Sequence, residues 1–187
     1  ERIAKLTAVA ASVVAEVPVA VVAGVPVAVV PVVSSLVVLA VVSGSLWVVD
    51  AVAAAVAWVF QNITSYGGDP KLIFVSEHSA GGYLTSMLGL DKSYLNSYGI
   101  DADDIAGLIP NSRYTIAHFM VRSGFGLKWK DVRVDKLSPP AQTRKDAPPI
   151  ILITGDRELE LYGIYEENAS WWRMLKSIGH SYVELYE

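Results

Sequence analysis

Glu77-His78-Ser79-Ala80-Gly81 sets a serine between an apolar run, Leu72-Ile73-Phe74-Val75, and a helix-like segment, Gly82-Tyr83-Leu84-Thr85-Ser86-Met87-Leu88. A serine on a tight turn between a buried strand and a helix has the geometry of a nucleophile elbow. The turn lifts the hydroxyl above the sheet edge, and the helix start behind it favours developing negative charge. The pattern is G-x-S-x-G with Glu77 in place of the first glycine. The crowding of strand against helix that normally calls for glycine predicts a clash for glutamate, and a charge beside any oxyanion. Glu77 therefore reads either as a change that cripples the site or as a misread position in an ordinary one. For Ser79 itself the plain alternative is a helix N-cap.

The elements that would position this serine follow in a regular order. Asp50 reads as an N-cap for a helix over Ala51 to Asn62, with Trp58, Val59 and Phe60 for packing. Tyr66-Gly67-Gly68-Asp69-Pro70 is a turn, Lys71 to Ser76 a strand and Ala80 to Leu90 a helix. Further strands are expected at Ser35 to Val42, Ile105 to Pro110, Pro149 to Gly155 and Tyr182 to Tyr186, and a helix at Glu166 to Ile178. Residues 111–147 are polar and irregular and read as a connecting, lid-like excursion. Alternating strands and helices imply a single α/β domain over residues 1–187, with a mostly parallel sheet and helices on both faces. Ligands of such sheets sit at the carboxyl ends of the strands. Ser79, Asn111 and Glu158 all follow strands and can converge on one rim.

Composition narrows the function classes. Net charge is −4 with 18% charged residues, and no basic stripe suggests nucleic acid. With no cysteine, disulfides and thiolate metal sites are excluded. His78, His118 and His180 are too scattered for a zinc site, so no metal is expected. Gly67-Gly68 and Gly81-Gly82 lack the spacing of phosphate loops, and Trp171 and Trp172 read as packing residues. From Val17 to Val49 no residue is charged, and hydropathy alone would pass this stretch as a membrane span. Pro18, Pro26 and Pro31 argue against one straight helix, so a membrane span is not expected. Residues 7–49 read either as a stretch in which Val and Ala stand for unidentified side chains or as a genuine low-complexity apolar segment. Soluble behaviour is the expectation, in the cytoplasm or outside the cell. Oligomeric state is not legible.

Several motifs together resemble one family. The helix Asp50–Phe60, the turn Ser65-Tyr66-Gly67-Gly68-Asp69-Pro70-Lys71, the elbow His78-Ser79-Ala80-Gly81-Gly82 and the strand Leu152-Ile153-Thr154-Gly155-Asp156 look like those of α/β-hydrolase serine carboxylesterases. The branch that fits is related to hormone-sensitive lipase and includes feruloyl and acetyl-xylan esterase-like enzymes. The similarity runs from about Asp50 to Glu187. It implies the α/β-hydrolase fold, hydrolysis of small acyl or aryl esters through an acyl-enzyme, and no cofactor. It implies Ser79 as nucleophile and the Ala80 N–H as an oxyanion-hole donor. The triad acid is expected in the turn after Ile150–Thr154, at Glu158 by family spacing or at Asp156. The family's histidine follows the last strand, beyond Glu187, and its H-G-G-G-type loop would fall near or before Glu1, so the chain reads as incomplete at both ends. His180 precedes that strand and is expected at the opposite sheet edge. The rival expectation is a hydrolase-fold binding protein disabled at Glu77.

Overall fold

The structure, a computed structural model, describes residues 19–22, 25–28, 47–116, 126, 128 and 133–187. Two short strands, β1 (Val19–Val22) and β2 (Val25–Ala28), pair antiparallel with Val21 opposite Pro26. Part of the uncharged stretch thus forms a pair of antiparallel strands. The strand expected over Ser35 to Val42 lies outside the described residues.

Helix α1 spans Trp47–Asn62. It begins four residues before Ala51, so Asp50 is a first-turn residue and not the N-cap. The cause is the apolar stripe: Val49, Val52, Ala53, Val56 and Ala57 recur at helical spacing and all enter the core. Asp50 still favours the helix from that position, because negative charge complements the positive end of the dipole. After α1, Asp69 accepts a hydrogen bond from the Lys71 N–H at 2.8 Å, and Pro70 opens a 3-10 turn over Pro70–Leu72. That turn takes the first residues of the expected strand, and β3 runs over Phe74–His78.

Four parallel strands form the main sheet in the order β3, β4 (Gly107–Asn111), β5 (Ile150–Ile153) and β6 (Val183–Tyr186). Helix α2 (Ala80–Leu90) connects β3 towards β4, and α3 (Ile164–Ser177) connects β5 to β6. Successive right-handed crossovers in one direction place their helices on one face. The core agrees with this. Val75, Leu108, Ile150, Leu152 and Val183 form one buried cluster with Leu84 and Leu88 of α2 and with Trp171 and Leu175 of α3. On the opposite face Phe74, Ile153 and Tyr186 are exposed, and Ile109 and Ile151 are half-buried.

The end of the expected excursion is fastened to both helices. The buried Tyr83 hydroxyl on α2 donates to the Leu137 carbonyl at 2.7 Å. The Trp171 indole N–H on α3 donates to Thr143 Oγ1 at 2.8 Å. Arg144 donates to the Leu90 and Gly89 carbonyls at 2.9 Å each and pairs with Asp103 at 2.6 Å. The last α2 carbonyls, which have no acceptor role left within the helix, are thereby satisfied by a cation at the negative end of its dipole. This anchoring fixes the helix whose other end carries Ser79.

Candidate active site

Ser79 joins β3 to α2 with φ 53° and ψ −119°. A positive φ in a serine is a strained conformation that costs about 1–3 kcal/mol and persists only where its surroundings impose it. Here the Ser79 N–H donates to the Asn111 carbonyl at 2.9 Å, and its carbonyl accepts the Tyr83 N–H at 3.2 Å. Ser79 occupies the N-cap position, but its hydroxyl makes no capping bond and is exposed. A capping serine spends its oxygen on the helix; this one leaves it free above the sheet. Ala80 opens α2, and a first-turn N–H has no acceptor inside its own helix.

Asn111 braces the elbow from β4. Its side-chain amide reaches Ser76 Oγ at 3.2 Å, the Glu77 carbonyl at 3.0 Å and the Ile109 carbonyl at 3.1 Å. Sequence placed Asn111 on the rim without this role. The clash expected for Glu77 is avoided because residue 81 has no side chain. A Cβ on Gly81 would fall 2.8 Å from Glu77 Cβ, and one on Gly82 would fall 3.0 Å from the Asn111 carbonyl oxygen. Glu77 thus fills, over Gly81, the space its own position normally leaves empty. Burial holds its carboxyl above the usual carboxylate range, offset in part by the His78 N–H at 3.4 Å. Gly81→Ala is expected to destabilise the protein by about 1–3 kcal/mol through overpacking. Glu77→Gly should remove most of that loss in a double-mutant cycle, measured by denaturant unfolding. Additive effects would mean that the two positions do not touch.

The second rim feature is the turn after β5. Asp156 organises it: its carboxylate accepts the Glu158 N–H at 2.8 Å, and its carbonyl accepts the Leu159 and Glu160 N–H groups at 2.9 and 2.8 Å. Glu160 reaches back to the Gly155 N–H at 2.7 Å. The Glu158 side chain is exposed and has no hydrogen-bond or ion-pair partner among the described residues. Because β4 lies between β3 and β5, the elbow and this turn emerge two strand spacings apart, about 10 Å. An imidazole hydrogen-bonded at both nitrogens is the kind of group that bridges such a gap.

No described histidine bonds to Ser79. His78 is exposed at the end of β3, opposite Asn111. His180 is buried between α3 and β6, at the amino ends of the strands, where its N–H meets the Leu175 carbonyl at 3.0 Å and its Nδ1 accepts the Tyr182 N–H at 3.3 Å. Burial lowers its pKa, as for a histidine built into the fold. His118 lies outside the described residues. One buried charge escaped sequence reasoning. Arg113, just after β4, is fully buried over the Trp171 ring at 4.6 Å, and burial brings its pKa down to about 9. Glu167 on α3 lies near enough to oppose that shift, and it accepts the Thr115 and Ile116 N–H groups at 2.7 and 2.9 Å. Nothing in the local sequence distinguishes Arg113 from a surface arginine; only its neighbours across α3 do.

Comparison with known proteins supports the same fold. Residues 41–98, which hold α1, β3, the elbow and α2, match the model of the Carboxylesterase family. Esterase LipQ of Mycobacterium tuberculosis is 25% identical, over 56% of this chain and 28% of its own length. Among solved structures, a truncated carbohydrate esterase from gut microbiota superposes with a TM-score of 0.57 at 17% identity, covering 74% of this chain and 58% of its own. Thermogutta terrifontis esterase 2 phosphoramylated by tabun gives 0.57 at 22% identity, covering 73% and 50%. The same esterase with propionate bound gives 0.56 at 22%, covering 73% and 52%. The chain spans little more than a quarter of the curated relative and about half of these structures.

Proposed function

We propose that this chain, whose parallel sheet, elbow and helices make the α/β-hydrolase fold of esterases, carries the nucleophile and the acid of a serine carboxylesterase acting on small acyl or aryl esters. The observation that carries the reading is Ser79: a positive φ imposed by the backbone, with an exposed hydroxyl that caps nothing. Ser79 Oγ attacks the ester carbonyl while the histidine that the family resemblance places after the last strand takes its proton. The Ala80 N–H holds the oxyanion of the tetrahedral intermediate. Collapse of the intermediate expels the alcohol, which receives the proton from the imidazolium. Water then attacks the acyl-enzyme by the same route and releases the acid. Glu158 is the triad acid, orienting the imidazole and stabilising its cation. Asp156 is less suited, because its carboxylate is already spent on the Glu158 N–H. A small acyl group agrees with the propionate and butyrate held by Thermogutta terrifontis esterase 2. The chemistry calls for no metal or organic cofactor.

One observation favours a second reading, a catalytically impaired hydrolase-fold binding protein: the Glu77 carboxyl is tucked over Gly81, in the first turn of the helix that supplies the Ala80 N–H. Turnover of p-nitrophenyl acetate by the intact protein separates the two. Steady hydrolysis above the buffer rate supports the esterase. Saturable ester binding without turnover, restored to turnover by Glu77→Gly, supports the impaired site.

A further inference from the structure

The turn bearing Glu158 is tied to Glu187, the residue after β6, through Arg157. Arg157 lies between Asp156 and Glu158. Its backbone N–H and its Nε both donate to Glu187 Oε1, at 2.8 Å each, and its terminal Nη2 reaches Glu187 Oε2. One carboxylate thus takes three donors from one residue, the planar two-point match of guanidinium and carboxylate plus a main-chain bond. The guanidinium also lies 3.9 Å from the centre of the Tyr165 ring, so α3 joins the contact. Just upstream, the Thr154 N–H donates to the Tyr186 carbonyl at 2.9 Å.

We propose that Arg157 and Glu187 form a positioning clamp, which holds the turn so that the free Glu158 carboxylate points to the place where a histidine must meet it. The proposal rests on the reading of Glu158 as the triad acid. Around Glu158 most main-chain donors of the turn are engaged: Gly155 with Glu160, Glu158, Leu159 and Glu160 with Asp156, and Arg157 with Glu187. The result is a rigid turn with one unspent carboxylate. Arg157 holds Glu187 down to about 2, so the pair stays charged across the neutral range. Both side chains remain partly exposed, and exposed pairs contribute little to stability. The value of this one is geometric: a displacement of about 1 Å at a reacting group can cost about a hundredfold in rate.

The experiment compares Arg157→Ala, Arg157→Lys and Glu158→Gln with the parent in the intact protein, reading kcat, KM and the pH–rate profile for p-nitrophenyl acetate alongside the melting temperature. Arg157→Ala is expected to lower kcat about tenfold while KM stays within about twofold, since positioning acts on the transition state and not on ground-state binding. Its acid limb moves to lower pH, because an imidazole without its oriented carboxylate binds a proton less tightly. Arg157→Lys, with one charged donor and no fork, falls between the two. Unchanged kcat and an unmoved acid limb in Arg157→Ala overturn the clamp, even if the melting temperature drops. If Glu158→Gln is inactive in that case, the acid assignment survives and the clamp alone fails. Full activity in Glu158→Gln overturns the acid assignment and the clamp together.

Discussion

Ser79→Ala is expected to lower kcat for p-nitrophenyl acetate by about 10⁴–10⁶-fold while leaving the melting temperature unchanged. The magnitude is that of removing a serine nucleophile, where the residual rate comes from oxyanion stabilisation and binding alone. The stability expectation comes from this structure. The hydroxyl is exposed and makes no capping bond, so truncation removes no contact. The backbone bonds that fix the turn, from the Ser79 N–H to Asn111 and from Tyr83 to the Ser79 carbonyl, survive in alanine. A serine kept only as a helix cap would behave in the opposite way, with activity untouched and stability lowered by about 1 kcal/mol. Ser79→Gly sharpens the contrast. It should be equally inactive yet more stable than Ser79→Ala, because glycine relieves the cost of φ 53°.

Glu158→Gln is expected to lower kcat by about 10³–10⁴-fold, the scale seen when the orienting acid of a triad becomes an amide. The amide keeps the size of the side chain but no longer stabilises an imidazolium. Asp156→Asn is the control. It retains a carbonyl oxygen for the Glu158 N–H, so the turn closes and activity stays within about tenfold of the parent. Steady-state kinetics of both variants decide the assignment. The reverse order, with Asp156→Asn inactive and Glu158→Gln active, would move the acid to Asp156.

The elbow was legible in the sequence because its signals are local. An apolar run, a serine, two glycines and an alanine-to-leucine helical stretch sit within twenty residues, and α2 has the bounds expected of it, Ala80–Leu90. The parallel character of the sheet was legible too, since short strands alternate with helical segments along the chain, but the spatial order of the strands was not. What stayed hidden depends on residues far apart in the chain. Asn111 braces Glu77 across 34 positions, Arg157 meets Glu187 across 30, and Arg113 is buried by a helix some fifty residues later. No pattern within a strand or helix announces such pairs. The misplaced start of α1 shows a smaller lesson: Asp50 has a capping side chain, but burial of Val49 on the same stripe as Val52 and Val56 draws the helix back to Trp47. Glu77 changed most. As a letter in a motif it was a contradiction, and in space it is a side chain resting on Gly81.

The central claim is that Ser79 is an activated nucleophile, and covalent labelling tests it without knowledge of the natural ester. The intact protein is treated with a fluorophosphonate, and the adduct is located by peptide mapping. The expected result is one stoichiometric adduct on Ser79, formed at a rate that falls when Glu158→Gln removes the acid. An intact, folded protein that stays unmodified, or that is labelled at a residue other than Ser79, would contradict the account.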